Sequence, residues 1–399
     1  MTVTITNIDS CSNATPPYDE DYLNKKEIKH MSFHSYLRKI LGGKSTTTTC
    51  PLEKAVCKIK PGCVLHPPWP EGICSKCQPD AAITLNLQRY RHVDNISFEN
   101  EFLVNRFLDY WRQCGQQRVG YLLGRYEPYY DVPLGIRAVV SAIYEPPQMS
   151  GENFVQLEDD ATEQQVDALC KALEIRRIGW IFTDLVAEPK GNGSVKHTRH
   201  ADTYLISAEE CITAGYLQNR YPNVCKYSPD AYFGSKFVTV IVSGGEDHQV
   251  HFFGYQVSNL CASLVDANCL FPTMDAPELA YVKESSSLQY VPDVYYKKTD
   301  EYKNEVLKIG RPLPVEYLVV DIPAGMPKEP LFSFFAGTQF EPFAVENRMA
   351  LHAQSLDAVR SYVSQFGVNQ IMEMSFDFHF LLYLLLNEFC KFTMVRDIY

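Results

Sequence analysis

The stretch RRIGWIFTDLVAEP, residues 176–189, decides the fold. Arg176 and Arg177 introduce an apolar run from Ile178 to Phe182, closed by Thr183 and Asp184. A short continuous apolar run of this kind predicts a strand covered on both faces. Its neighbours agree. Thr162–Leu173 has helical spacing before it, and Ser207 to Gln218 predicts a helix after it, with Ser207 as N-cap and Glu210 placed for a capping box.

Further out, Phe98–Cys114 reads as an amphipathic helix with Phe102, Leu103, Phe107, Leu108 and Trp111 on one face. The segments RVGYLLGRYE (118–127), LGIRAVVSAIYEPPQ (134–148), KFVTVIVSGG (236–245) and QVHFFGYQVS (249–258) read as strands, and AITLNLQRYRHV (82–93) alternates like one. Helices and strands mix through residue 265, which predicts an α/β (α+β) domain over 83–265. Residues 266–399 form a smaller appended α+β domain. It holds strand-like APELAYVKES (276–285) and VEYLVVDIP (315–323), a helix capped by Ser355 and stopped at Gly367, and the apolar helix SFDFHFLLYLLLNEF (375–389). Residues 1–29 are polar and read as a flexible segment, and 30–82 carry clustered Cys and His.

Composition sets limits. A chain of 399 residues with 46% hydrophobic and 21% charged residues fits a globular protein. A net charge of −11 argues against a broad nucleic-acid-binding field. The most apolar stretch, around Phe376–Phe389, is shorter than the ~20 residues of a membrane span and contains Asp377 and His379. The N-terminus has no basic start followed by an apolar core, so it does not read as a secretory signal. Thirteen cysteines, an odd number, then point to a reducing compartment. Gly43-Lys44-Ser45 invites a phosphate-loop reading, but the first glycine of that motif falls on Arg38, so a flexible loop is expected.

GCVLHPPWPEGICSKCQP, residues 62–79, is the most specific signal. Cys63 and His66 are three apart, as are Cys74 and Cys77, and each pair can form a knuckle facing one ion. Four N/S ligands in this pattern suit structural zinc. A redox reading of Cys74-Ser75-Lys76-Cys77 wants a strand before it and a helix after it, whereas Pro and Gly surround it here. His30, His34, Cys50 and Cys57 could supply a second zinc site, with free thiols and surface histidines as the alternative.

RVGYLLG, IGWIFTD and the Ser-led helix together resemble the skeleton of an MPN domain, the fold of JAMM metalloproteases. Active members of that family hold zinc with two His and an Asp and use a Glu as general base, so that metal-activated water attacks an isopeptide carbonyl. The resemblance places the two His positions on Phe182 and Asp184, the Asp position on Glu210 and the base on Gln117. Phe cannot ligate and an amide is not a base, so the implied centre is inactive. An isopeptidase with unusual ligands is the alternative.

HMSFHSYLRKI, PEGICSKCQPDAAITL, PLGIRAVVSAIYEPPQ, GWIFTDL and FGSKFVTVIVSGG resemble the nuclear protein localization protein 4 family. That resemblance implies a zinc-binding, non-catalytic adaptor. Its implied partners are ubiquitin chains, ubiquitin fusion degradation protein 1 and the AAA ATPase valosin-containing protein. It implies work in cytoplasm and nucleus, and at the ER surface through partners, in degradation of ubiquitinated proteins; neither nucleic-acid binding nor membrane insertion is expected. It also implies a groove for an extended ubiquitin segment. Against the family pattern, the chain reads as a truncated form without the N-terminal ubiquitin-like domain and first zinc finger, Cys11 being a possible remnant, and without a C-terminal finger. A scaffold that no longer binds ubiquitin is the competing expectation.

Overall fold

The computed structural model describes residues 16–42, 52, 54–189, 193–334, 337–348 and 353–387. Cys11, Cys50 and the glycine-lysine loop after Gly42 lie outside this range.

At the centre is an eight-stranded mixed sheet. Its order is Val319–Ile322, Val250–Val257, Val238–Gly244, Arg176–Asp184, Val119–Tyr129, Gly135–Tyr144, Asn95–Phe98, Ala324–Gly325. The Arg176–Asp184 strand lies between Val238–Gly244, which runs parallel to it, and Val119–Tyr129, which runs antiparallel. Its side chains divide between two cores, as a doubly covered strand requires, with the alternation broken at Ile178 where the pairing shifts register. Ile178 and Ile181 belong to one core with Phe107 and Leu108 of helix Glu101–Cys114. Trp180 and Phe182 face the core shared with helices Glu163–Ala172 and Ala208–Arg220.

The expected helix from Phe98 starts later. Phe98 ends a strand, Asn100 is the N-cap, accepting from the Leu103 amide, and the helix begins at Glu101. The helix capped by Ser355 stops at Val363, ahead of Gly367. The apolar C-terminal helix is Phe378–Leu386, capped by Asp377.

Pairing crosses residue 265. Val319–Ile322 joins one side of the sheet by pairing with Val250–Val257, and Ala324–Gly325 joins the other side by pairing with Asn95–Phe98. Only Pro323 separates the two, and its carbonyl accepts from the Ile96 amide at 2.9 Å. The sheet is therefore curled until its two sides meet. Gly254 permits the close approach, since a Cβ there would lie 2.4 Å from the Ile322 carbonyl oxygen. Phe378, Leu381, Leu382 and Leu385 belong to the same core as Trp180.

Candidate functional site

Two clusters of ligand-type side chains stand on this frame. The first is a zinc-binding cluster within the turns of residues 61–77. The ligand atoms of Cys63, His66, Cys74 and Cys77 all lie within 4.8 Å of one another, and no other such group of three or more occurs among the described residues. The Cys63–Cys74 and Cys74–Cys77 sulfurs are 3.6 and 3.7 Å apart. A tetrahedral ion with Zn–S bonds of about 2.3 Å separates its sulfurs by about 3.8 Å, so these spacings fit.

His66 is aimed by its surroundings. Its Nδ1 meets the Pro67 carbonyl at 2.6 Å, a contact in which nitrogen must be the donor, which leaves Nε2 free as ligand, 3.0 Å from Cys77 Sγ. Gly72 is needed against the ring: a Cβ there would lie 3.0 Å from His66 Nδ1. The Cys74 amide donates toward Cys77 Sγ at 3.4 Å. The Lys76 amide holds the Cys74 thiol below its usual range, and the Cys74 amide does so for Cys77. Cys63 is raised, the pull of the Leu65 amide being outweighed by burial and the neighbouring sulfurs. A dication is what lets three adjacent thiols ionise together. Trp69 ties the cluster to the main body, its indole N–H donating to the Ser286 carbonyl at 2.9 Å with Tyr290 edge-on to the ring.

The second set of zinc candidates does not assemble. His30 lies 3.8 Å from Asp321, and burial pushes it down to about 4. His34 is also lowered by burial. Cys57 is in the core, where burial and the nearby Cys269 push its thiol up to about 12. These three occupy separate environments, so their donors form no shared cluster; Cys50 is outside the described residues.

The second cluster lies where strand Arg176–Asp184 ends. Gln117 is buried with all its hydrogen-bonding capacity used. Its Oε1 accepts from the Thr183 hydroxyl at 2.8 Å and the Leu185 amide at 3.1 Å. Its Nε2 donates to the carbonyls of Leu185 and Glu152 at 2.8 and 2.7 Å. It acts as a stitch between two strand ends. Phe182, Asp184 and Glu210 converge, but on a side chain the sequence reading passed over. Arg199 Nε donates to Asp184 at 2.6 Å, and its two terminal nitrogens donate to the two oxygens of Glu210 at 2.8 and 2.6 Å. Its guanidinium carbon is 5.9 Å from the Phe182 ring centroid and 5.0 Å from that of Tyr204.

Each position that the JAMM resemblance assigns to a zinc ligand thus touches one guanidinium. Burial opposes the charge on Arg199, but Glu210 and Asp184 outweigh it and hold the group above its usual range. Glu210 also completes the expected capping box: the Ser207 hydroxyl accepts from its amide at 3.2 Å, and its carboxylate accepts from the Ser207 amide at 2.8 Å. One signal could have found Arg199. Two carboxylates at retained ligand positions require a cation, and of the basic residues between them, Lys190, Lys196, His197, Arg199 and His200, Arg alone offers a fork.

No helix among the described residues is long and apolar enough to cross a membrane. Comparison with known proteins agrees with the architecture. The model of the NPL4 family matches residues 118–396, and that of the family's zinc binding region matches residues 4–115. The nuclear protein localization protein 4 homolog of Rattus norvegicus is 53% identical over 95% of this chain and 62% of its own length. The Drosophila melanogaster homolog is 54% identical over 94% of this chain and 57% of its own. The protein of Schizosaccharomyces pombe is 43% identical over 81% and 58%. The chain thus spans about three fifths of the length of these relatives, and with both its zinc-binding region and its main domain matched, it belongs to the NPL4 family.

Proposed function

We propose that this chain is a non-catalytic adaptor that binds ubiquitin chains. On this reading it presents ubiquitinated proteins to the AAA ATPase valosin-containing protein, together with ubiquitin fusion degradation protein 1, for extraction and proteasomal degradation, including at the ER. Its places of work are the cytoplasm and nucleus. Family membership supports the adaptor role. The observation that carries the absence of catalysis is the Arg199 triad: a guanidinium bound to both Asp184 and Glu210 leaves those carboxylates no free pair of oxygens for an ion. Gln117 in the base position has no proton-accepting nitrogen and is fully engaged. Cys63, His66, Cys74 and Cys77 hold one structural zinc, which supplies folding energy to a loop with few apolar contacts. The same reading divides the chain into a zinc-finger region (30–82), an inactive MPN unit (83–265) and a C-terminal unit (266–399), the last two sharing a sheet.

On this reading an extended ubiquitin segment is taken up in a cleft at the end of strand Arg176–Asp184, held by backbone hydrogen bonds and side-chain pockets. The test is retention of tetra-ubiquitin by the purified chain, beside tetra-ubiquitin destabilised in its core. Retention without cleavage, with or without added zinc, and stronger for the destabilised chain, is expected. No retention of either would favour a bare scaffold. Chelator-sensitive cleavage would restore the isopeptidase alternative.

A further inference from the structure

Arg199 does more than fill a gap. It sits in an irregular segment, residues 193–207, that leads into helix Ala208–Arg220. Through one side chain the loop is tied to the strand end at Asp184, to the first helical turn at Glu210 and to its own Leu205 carbonyl at 3.2 Å. Apart from the apolar burial of Val195 and Ile206, few ties of residues 197–205 to the body are seen among the described residues. The Val195 amide donates to His248 and the Lys196 amide to Val186, which anchors the loop's entry. Beyond that, the hydrogen bonds of residues 197–205 stay inside the loop among the described residues, around the turn from His200 to Thr203. The exception is a long contact of 3.4 Å between the hydroxyls of Thr198 and Ser243. Yet the loop is not a tail on the surface. Arg199 is 5% exposed while Leu205, six residues on, is 50% exposed. Between the buried apolar residues Val195 and Ile206 near its two ends, Arg199 alone is drawn into the body and presents its neighbours outward.

A bound ion at such a place would orient the groups around it and come and go with supply. A guanidinium on a loop orients them permanently, and the loop itself becomes part of what is oriented. We propose that Arg199 is a built-in cation which performs the positional work of a metal, fixing loop 193–207 as a wall of the cleft that takes the ubiquitin segment. This rests on the cleft assignment above. Arg199 is a positioning residue on this view; Phe182, Asp184 and Glu210 form a receptor for a guanidinium group, with two carboxylates hydrogen-bonded to it and one aromatic ring 5.9 Å from its carbon.

The experiment uses the full chain and three forms, wild type, Arg199→Ala and Arg199→Lys. Amide hydrogen exchange is followed in residues 197–206 and in strand Val238–Gly244, and tetra-ubiquitin affinity is measured on the same samples, each with and without methylguanidinium at non-denaturing concentration. In Arg199→Ala, exchange in the loop is expected to rise roughly tenfold to a hundredfold, because the anchoring ion pairs set its local opening. Protection of the strand is expected to stay, ubiquitin affinity to fall about tenfold or more, and methylguanidinium to reverse both changes in part. Arg199→Lys, which keeps the charge and loses the fork, should fall between. Unchanged exchange in the loop would overturn the proposal. So would loss of protection in Val238–Gly244, which would make Arg199 an ordinary fold residue, and so would loop loosening with ubiquitin affinity unchanged. If the wild type binds no ubiquitin while the loop responds and is rescued, it is the cleft assignment that fails and the positional role that stands.

Discussion

The zinc cluster and the Arg199 triad solve one problem in two ways. Both gather acidic or sulfur ligands that repel one another, and both need a cation at the centre. At Cys63, His66, Cys74 and Cys77 the cation comes from outside, so a segment with little apolar content is expected to fold only as metal is bound. At Asp184 and Glu210 it comes from the chain itself and cannot be removed by a chelator. A third place has neither. Asp94 is 2% exposed, with no cation within ion-pair distance among the described residues, and burial, against the pull of the Ile136 amide and of Arg91 farther off, pushes its carboxyl up to about 7. Where no cation is supplied, the carboxyl tends to keep its proton.

The comparison is broken most severely by stripping the external cation. One zinc per chain is expected by metal analysis, and none in Cys74→Ser with Cys77→Ser. Chelation should release the loop around residues 60–80 to rapid amide exchange while the central sheet stays protected, since structural zinc contributes on the order of 10 kcal/mol of apparent binding energy.

Installing histidines at the second centre should not convert it to the first kind. Phe182→His with Asp184→His leaves Arg199 in the seat of the ion with one of its carboxylates and no phenyl face. Zinc content is expected to remain at one per chain, and stability by denaturant titration to drop about 3 kcal/mol as a mostly buried pair is broken. A second zinc in this variant would show that the guanidinium yields to metal.

Gln117→Glu restores the base of the active pattern in name only. The new oxygen would face the carbonyls of Leu185 and Glu152, where Nε2 now donates at 2.8 and 2.7 Å. A loss of about 2 kcal/mol is expected from a carboxylate oxygen set against two carbonyls, of which that of Leu185 keeps Trp111 as a donor and that of Glu152 loses Nε2, read as a lower melting temperature, with no gain of ubiquitin-chain cleavage.

The mildest effect concerns Asp94. Its folded pKa lies above the unfolded value, so its contribution to stability is complete below pH 4, where both states are protonated, and is lost as pH rises through about 7. Asp94→Asn keeps the acceptor for the Ile136 amide, which lies 2.9 Å from the carboxylate. Stabilities by denaturant titration at pH 6 and pH 8 should differ less in the variant than in wild type, by about 1 kcal/mol.

Legibility in the sequence followed distance along the chain. The four zinc ligands fall within residues 63–77, and the Ser207–Glu210 box within one helical turn, so local spacing was enough. The apolar run at Ile178–Phe182 announced a strand covered on both faces because nothing polar interrupts it. Arg199 was illegible by pattern, since its partners stand 15 residues before and 11 after it, across a loop with no period. VEYLVVDIP looked like a strand, but local alternation carries no information on which strand it joins, and so its place in the main sheet could not be read. His30, His34 and Cys57 were grouped because of residue type alone, and burial in different packings keeps them apart.

The meeting of the sheet at Pro323 has a consequence for biosynthesis. Ala324–Gly325 pairs with Asn95–Phe98, a partner 228 residues earlier at Ile96 and Ala324. At about 5–20 residues per second, a ribosome needs roughly ten seconds or more to deliver the last two strands after the first has emerged. Throughout that interval the nascent sheet has unpaired backbone along Asn95–Phe98, and from its own emergence onward along Val250–Val257 as well, each able to recruit a neighbouring chain on a polysome. A single dipeptide step past Ile322 seals both at once, so the vulnerable period ends abruptly, late in translation, when residues 319–325 leave the exit tunnel.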